Sequence, residues 1–282
     1  MKKRFSLAVI IIFFVAIGSS AQSASQADSI LPIIDTAEIK VPELTLDELI
    51  KLKNCIEFPD LLKGHEEESL PYIEGFAKRR KEYLIRTYNR DQQFSKKILP
   101  IFNQFDLPAE LRVLMALESA YNPNAHSRAG AVGYWQFMDV VAREYHLKIP
   151  QVKITRHKTR RGKVKLIRKM VGKKDERKDF IKSTYAAARY LNDRKRNFNN
   201  DWLLIVAAYN YGTGNVWNAM TRSKKENPGF WDIKKYLPAE TRKYVMNFIA
   251  LNVIFHNYEK FVKNELVYAT TPADISSSHM MQ

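Results

Sequence analysis

The stretch that decides the fold runs from Pro108 to Met138, PAELRVLMALESAYNPNAHSRAGAVGYWQFM. Its first ten residues predict a helix with Pro108 in the first turn, where a missing N–H is tolerated. The apolar stripe passes through Leu111, Leu114 and Met115, and the next position on it is Glu118. A carboxyl thus stands where a leucine is expected. Held against apolar neighbours, it loses hydration of its charged form, so its pKa rises and it carries a proton near neutral pH, as a general acid must. On spacing alone a helix-end glutamate of no chemical role fits equally well.

Outward from this stretch the chain reads as helical. Thr45-Leu-Asp-Glu48 forms a capping box that opens a short helix. Further helices are expected from Pro71 to about Tyr88, Gln92 to Phe105, Tyr134 to Tyr145, Ser183 to Arg196, Trp202 to Tyr209 under an Asp201 cap, and Pro238 to Tyr258. One segment reads as strand. Val152-x-Ile154 and Val164-x-Leu166 flank Lys158-Thr-Arg-Arg-Gly162-Lys, which predicts a two-stranded hairpin with Gly162 in its turn.

That hairpin sits in a charged insertion. Lys148 to Lys178 holds fourteen Lys and Arg against Asp175 and Glu176, in a chain whose formal net charge is +16. Such a run is either a solvated basic loop or an electrostatic contact for anionic material, such as carboxylate-bearing chains or phosphate-bearing lipids and polymers. Nucleic acid is not the expected partner, because a basic patch alone gives only nonspecific phosphate affinity.

The N-terminus reads as an export signal. Lys2, Lys3 and Arg4 precede an apolar run from Leu7 to Ile17 and small residues at Ser19-Ser20-Ala21, with a cut expected after Ala21; an uncleaved anchor is the alternative. The single cysteine, Cys55, lies far from that point, so no lipid anchor, internal disulfide or thiolate metal site is expected. The six histidines are scattered, and no metal or other cofactor is implied. Gly212-Thr-Gly214 lacks the strand-to-helix context of a nucleotide loop.

The spaced blocks carry a further reading. Glu118-Ser119 is followed by Asn122-Pro123, Ser127, Gly130-Ala131 and Gly133-x-x-Gln136-Phe137-Met138. Then come Ala208-Tyr209-Asn210 with Gly212 and Gly214, and Leu237-Pro238-x-Glu240-Thr241-Arg242-x-Tyr244-Val245. In this order, over roughly Tyr72 to Phe261, the chain resembles the family-1 lytic transglycosylases of bacterial cell-wall turnover, the SLT domain. It is most similar to the membrane-bound murein transglycosylase D branch, without that branch's LysM modules. Tyr134 and Thr213 depart from the leucine and proline common at these positions.

The resemblance implies an all-α, goose-lysozyme-like domain of the lysozyme-like superfamily, with an N-terminal helical extension and the basic hairpin as an insertion. The expected organisation is a signal over 1–21, a flexible leader and short helix over 22–70, the transglycosylase domain over 71–262 and a polar tail over 263–282. It implies periplasmic or envelope-associated cleavage of the bond between N-acetylmuramic acid and N-acetylglucosamine in peptidoglycan glycan strands. Glu118 would act as acid and then base, closing the muramyl 6-hydroxyl onto C1. Ser119, Ser127, Gln136, Met138, Tyr209, Asn210 and Glu240 would bind substrate: Ser127 and Gln136 by hydrogen bonds to the glycan, Met138 as an apolar floor, Tyr209 by orienting the Glu118 carboxyl. Structural roles remain open for Tyr209 in the core, Gln136 as a satisfied buried amide and Glu240 as a first-turn helix acid. The rival activities are a hydrolytic muramidase, with Asp139 the nearest second acid, and a catalytically silent wall-binding protein.

Overall fold

The computed structural model describes residues 46–158, 160, 162–172 and 174–270. The expected signal and the Thr45 cap lie outside them. Helix α1 spans Leu46–Lys53, α2 Glu66–Arg79, α3 Lys81–Asn103 and α4 Val113–Ser119. After a short α5 (Asp139–Glu144) come strands β1 (Gln151–Lys158) and β2 (Val164–Val171). The chain continues through α6 (Phe180–Asn197), α7 (Trp202–Tyr211), α8 (Thr213–Ser223), α9 (Phe230–Ile233), α10 (Ala239–His256) and α11 (Tyr258–Val262). The mostly helical fold class expected from the sequence is the one observed.

The axis of the domain is α10. Val245, Met246 and the whole run from Phe248 to Phe255 are buried, so this helix is apolar on every side, the mark of a central element rather than a surface one. It packs against α2, α3, α4 and α7. Helix α7 is similarly enclosed through Leu204 to Ala208, and its start is fixed as expected: the Asp201 side chain accepts the Leu204 N–H at 2.9 Å. Each large side chain buried in this core contributes about 1.5–3 kcal/mol of hydrophobic free energy.

Several expected boundaries are corrected. The Pro71–Tyr88 and Gln92–Phe105 segments are instead α2 and a continuous 23-residue α3, separated at Arg80. The helix expected to begin at Pro108 opens as a 3-10 turn over Ala109–Arg112 before α4. Tyr134 to Phe137 form no helix. They make a turn closed by the isolated bridges His126 with Val132 and Val132 with Phe137, because Gly133 and Gln136 hold positive φ of 84° and 51°. The compact body also reaches beyond 71–262. Ile56, Phe58 and Leu62 join the core, and the Ile56 N–H donates to the Val267 carbonyl while the Val267 N–H donates to that of Asn54.

The hairpin forms as expected. β1 and β2 pair antiparallel from Gln151 with Val171 to Lys158 with Val164, and Gly162 takes a φ of 74° in the turn. Its base is pinned where the Glu176 N–H donates to the Lys148 carbonyl at 2.9 Å and the Glu176 carboxylate accepts the Lys148 N–H at 2.8 Å. Among the described residues no helix is long and apolar enough to cross a membrane.

Candidate active site

Helix α4 delivers Glu118 by burying its other positions. Leu114 and Met115 are fully enclosed, as is Leu111 in the preceding turn, which turns Glu118 toward α10 on the same stripe. The helix then stops abruptly, because Ala120 and Tyr121 adopt left-handed φ of 48° and 61°. Three bonds hold that strained corner. The Ala120 N–H donates to Ala116, the Arg90 guanidinium donates to the Ala120 carbonyl at 2.8 Å, and the Tyr121 hydroxyl donates to Asp91 at 2.9 Å. Asp91 is wholly buried and is balanced by Arg112 at 3.0 Å.

The carboxyl itself is partly buried. The Tyr244 hydroxyl, reaching across from α10, donates to Glu118 Oε1 at 2.5 Å. Burial pushes the Glu118 carboxyl above the usual carboxylate range to about 7; the Tyr244 bond opposes this by favouring the charged form. Among the described residues no other acid contributes to the shift. The Tyr244 and Tyr209 hydroxyls are in turn raised well above the ordinary tyrosine value, chiefly by burial and then by the Glu118 charge, so both remain neutral donors.

Tyr209 does not orient the Glu118 carboxyl; its hydroxyl donates instead to the Trp135 carbonyl at 2.8 Å. Ser119 donates to the Tyr134 carbonyl at 2.7 Å. Together these two side chains pin the 133–138 loop beside Glu118. Gln136 is spent within that loop, its amide N–H groups reaching the Gly133 and Ala125 carbonyls at 2.9 and 3.1 Å. Ser127 is exposed and its oxygen accepts the Ala131 N–H at 2.9 Å. Met138, 42% exposed, emerges where the loop meets α5.

Asn210 and Glu240 lie at facing helix ends. Thr241 donates to Asn210 Oδ1 at 2.9 Å, tying the end of α7 to the start of α10, and Glu240 beside it points to solvent. Neither bonds to Glu118. A second tie explains why the loop holds its shape: a Cβ at Gly133 would sit 2.1 Å from the Arg177 carbonyl oxygen. Arg177 grips Asp175 at 2.8 and 2.9 Å, the Phe137 carbonyl at 3.2 Å and Asp139 at 2.5 Å. Asp139, the nearest candidate for a second acid, is therefore engaged with a cation.

Beside the end of α4 a cavity of about 300 Å3 opens between α2, α3 and α10. Tyr72, Phe76 and Tyr83 give it aromatic walls, Arg79, Arg80 and Lys243 give it charge, and Leu117, the residue before Glu118, borders it together with Asn247. Among the described residues no group of three or more His, Cys, Asp or Glu could hold a metal ion.

Residues 104–229 match the family model described as the transglycosylase SLT domain. Glu118, Ser119, Ser127, Gln136, Met138, Tyr209 and Asn210 fall inside the match, while Glu240, Tyr244 and the rest of α10 lie past its end. The chain is 33% identical over 185 residues to the membrane-bound lytic murein transglycosylase D of Escherichia coli strain K12, covering 65% of this chain and 36% of that protein. Among solved structures it is similar to the 70 kDa soluble lytic transglycosylase of Escherichia coli, at 16% identity and a TM-score of 0.43 over 73% of this chain and 38% of that one. It is also similar to an inactive mutant of the lytic transglycosylase Slt from Pseudomonas aeruginosa, at 19% identity and a TM-score of 0.42 over 60% of this chain and 24% of that one.

Proposed function

We propose that this SLT-domain chain is a lytic murein transglycosylase of the cell envelope, exported by the signal at 1–21, and that Glu118 is its single acid and base. The observation that carries this reading is the Glu118 carboxyl, raised to about 7 by burial and held by Tyr244, with no second acid among the described residues acting on it. At neutral pH much of it is protonated and able to donate to the oxygen joining N-acetylmuramic acid to N-acetylglucosamine. As that bond breaks, positive charge develops at C1 and Glu118 becomes a carboxylate. The carboxylate then removes the proton from the muramyl 6-hydroxyl, whose oxygen closes onto C1. The nucleophile is already attached to the sugar, so effective concentration replaces a second activating group.

Tyr244 orients the carboxyl and steadies it in its charged state. The aromatic and cationic cavity beside α4 suits the faces of sugar rings and the acid groups of stem peptides. Ser127, Gln136 and Asn210 serve the glycan through the loop and helix ends they shape, Met138 gives an apolar contact, and Glu240 is free to meet substrate from solvent. A muramidase would need a second carboxylate to activate or replace water. Asp139 is bound to Arg177, which disfavours that reading. A silent wall-binding protein has no use for a buried acid with a raised pKa.

The test is Glu118→Gln on purified sacculi. The variant should fold as the parent does and lose activity by ~10² to 10⁴-fold, the usual worth of an acid-base group. Activity within a few-fold of the parent would move the chemistry to another residue.

A further inference from the structure

The basic hairpin carries a feature that a solvated loop does not need. Directly opposed residues of an antiparallel pair share a face. The register therefore places Ile154, Arg156, Lys158, Val164 and Leu166 on one side of the ribbon. Ile154, Leu166 and Val164 are 53%, 56% and 60% exposed. Ile167 and Val171, on the other side with Lys153 and Lys165, are exposed as well. A pinned base and eight-residue strands carry this surface some 25 Å along the ribbon at about 3.4 Å per residue.

We propose that this hairpin is a membrane-surface element that lies on anionic phospholipid, with Ile154, Val164 and Leu166 entering the acyl boundary and the flanking lysines and arginines meeting headgroup phosphates. Charge and apolar exposure argue together for a lipid occupant. Fourteen cations against two acids over 148–178 would attract any polyanion. A hydrated polymer, however, offers nothing to clustered aliphatic side chains, whereas the headgroup boundary receives both. An isolated two-stranded ribbon is marginal in water, so such a surface would also steady it. The hairpin base is tied through Arg177 to the loop beside Glu118, so docking would hold the candidate site close to the membrane face of the wall. The proposal stands independently of the transglycosylase reading.

The full chain is tested on vesicles of phosphatidylcholine with and without 30% phosphatidylglycerol (~, composition chosen to give a surface potential of tens of millivolts). The apolar run from Leu7 to Ile17 is common to all variants, so the hairpin is read by difference and by a local probe. Leu166→Cys in a Cys55→Ser background, labelled with an environment-sensitive fluorophore, should shift to the blue on anionic vesicles and not on neutral ones. Lys158→Glu with Lys165→Glu, and separately Ile154→Ser with Leu166→Ser, should each weaken anionic-vesicle binding by about tenfold or more. Both should cleave small soluble glycan fragments at the parental rate if the parent does. A label that stays aqueous on bound vesicles would overturn the proposal. So would an Ile154→Ser, Leu166→Ser variant that binds vesicles like the parent while charge reversal alone abolishes binding to sacculi; the hairpin would then serve an anionic wall polymer.

Discussion

At the scale of single residues, the Tyr244 hydroxyl and the Glu118 carboxyl form a hydrogen-bonded pair in which the carboxyl titrates and the hydroxyl stays neutral. Activity on kcat/KM should hold at low pH and fall as pH rises through about 7, because the acid must begin protonated. Tyr244→Phe removes the one bond that favours the carboxylate, so the Glu118 pKa should rise further. A pH profile should show the alkaline limb displaced to higher pH together with a roughly tenfold loss of kcat; an unmoved limb would leave Tyr244 a packing residue. Stability gives a separate reading. A carboxyl whose folded pKa lies above its ordinary value favours the folded state at low pH and loses that advantage as pH rises from about 4.5 to 7. The loss is at most about 3 kcal/mol and is flat beyond. Glu118→Gln has no such term, so denaturation at pH 5 and pH 8 should show the variant gaining on the parent at the higher pH. The place of Glu118 on an apolar stripe was legible in the sequence, but that stripe fits a glutamate of no chemical role equally well, and it was the spaced blocks after it that singled it out. The partner role of Tyr244 was not: it lies 126 positions away, on a helix so apolar all round that periodicity marks no face.

At the scale of elements, the loop from Gly133 to Met138 determines where the site's second wall stands. Its geometry depends on Gly133 twice, for a φ of 84° and for the absence of a Cβ against the Arg177 carbonyl. Gly130 shares the positive φ but faces open space. Gly130→Ala should therefore cost ~1 to 2 kcal/mol, the left-handed penalty alone, and Gly133→Ala clearly more, with loss of activity, as urea denaturation would measure. Equal costs would mean that the Arg177 contact gives way freely. This loop shows why part of the fold escaped the sequence. Tyr134, Phe137 and Val141 are spaced as a helix face would be, and nothing in a Gln at 136 announces a left-handed backbone. The break at Arg80 was equally silent, carrying neither Gly nor Pro. Elements with an explicit chemical signal were legible: the Asp201 cap, the Gly162 turn and the alternation on either side of it.

At the scale of the whole molecule, the body around α10 is drawn together by segments that read as leader and tail. Ile56, Phe58 and Leu62 enter the core, and Val267 pairs with the chain near Cys55. Short hydrophobic runs without periodicity gave no sign of this, since their partner strand-like segment lies some two hundred residues on. The chain spans 36% of the Escherichia coli membrane-bound lytic murein transglycosylase D it matches. In the proposed mechanism one carboxyl serves both halves of the reaction and the sugar's own hydroxyl is the nucleophile. Digestion of purified wall in heavy-oxygen water, with mass analysis of the released muropeptides, tests it most directly. The expected products carry 1,6-anhydromuramic ends one water lighter than hydrolysed ends, unlabelled and with no new reducing sugar. Heavy oxygen at C1 of muramic acid in most products would show that water attacks, and would contradict it.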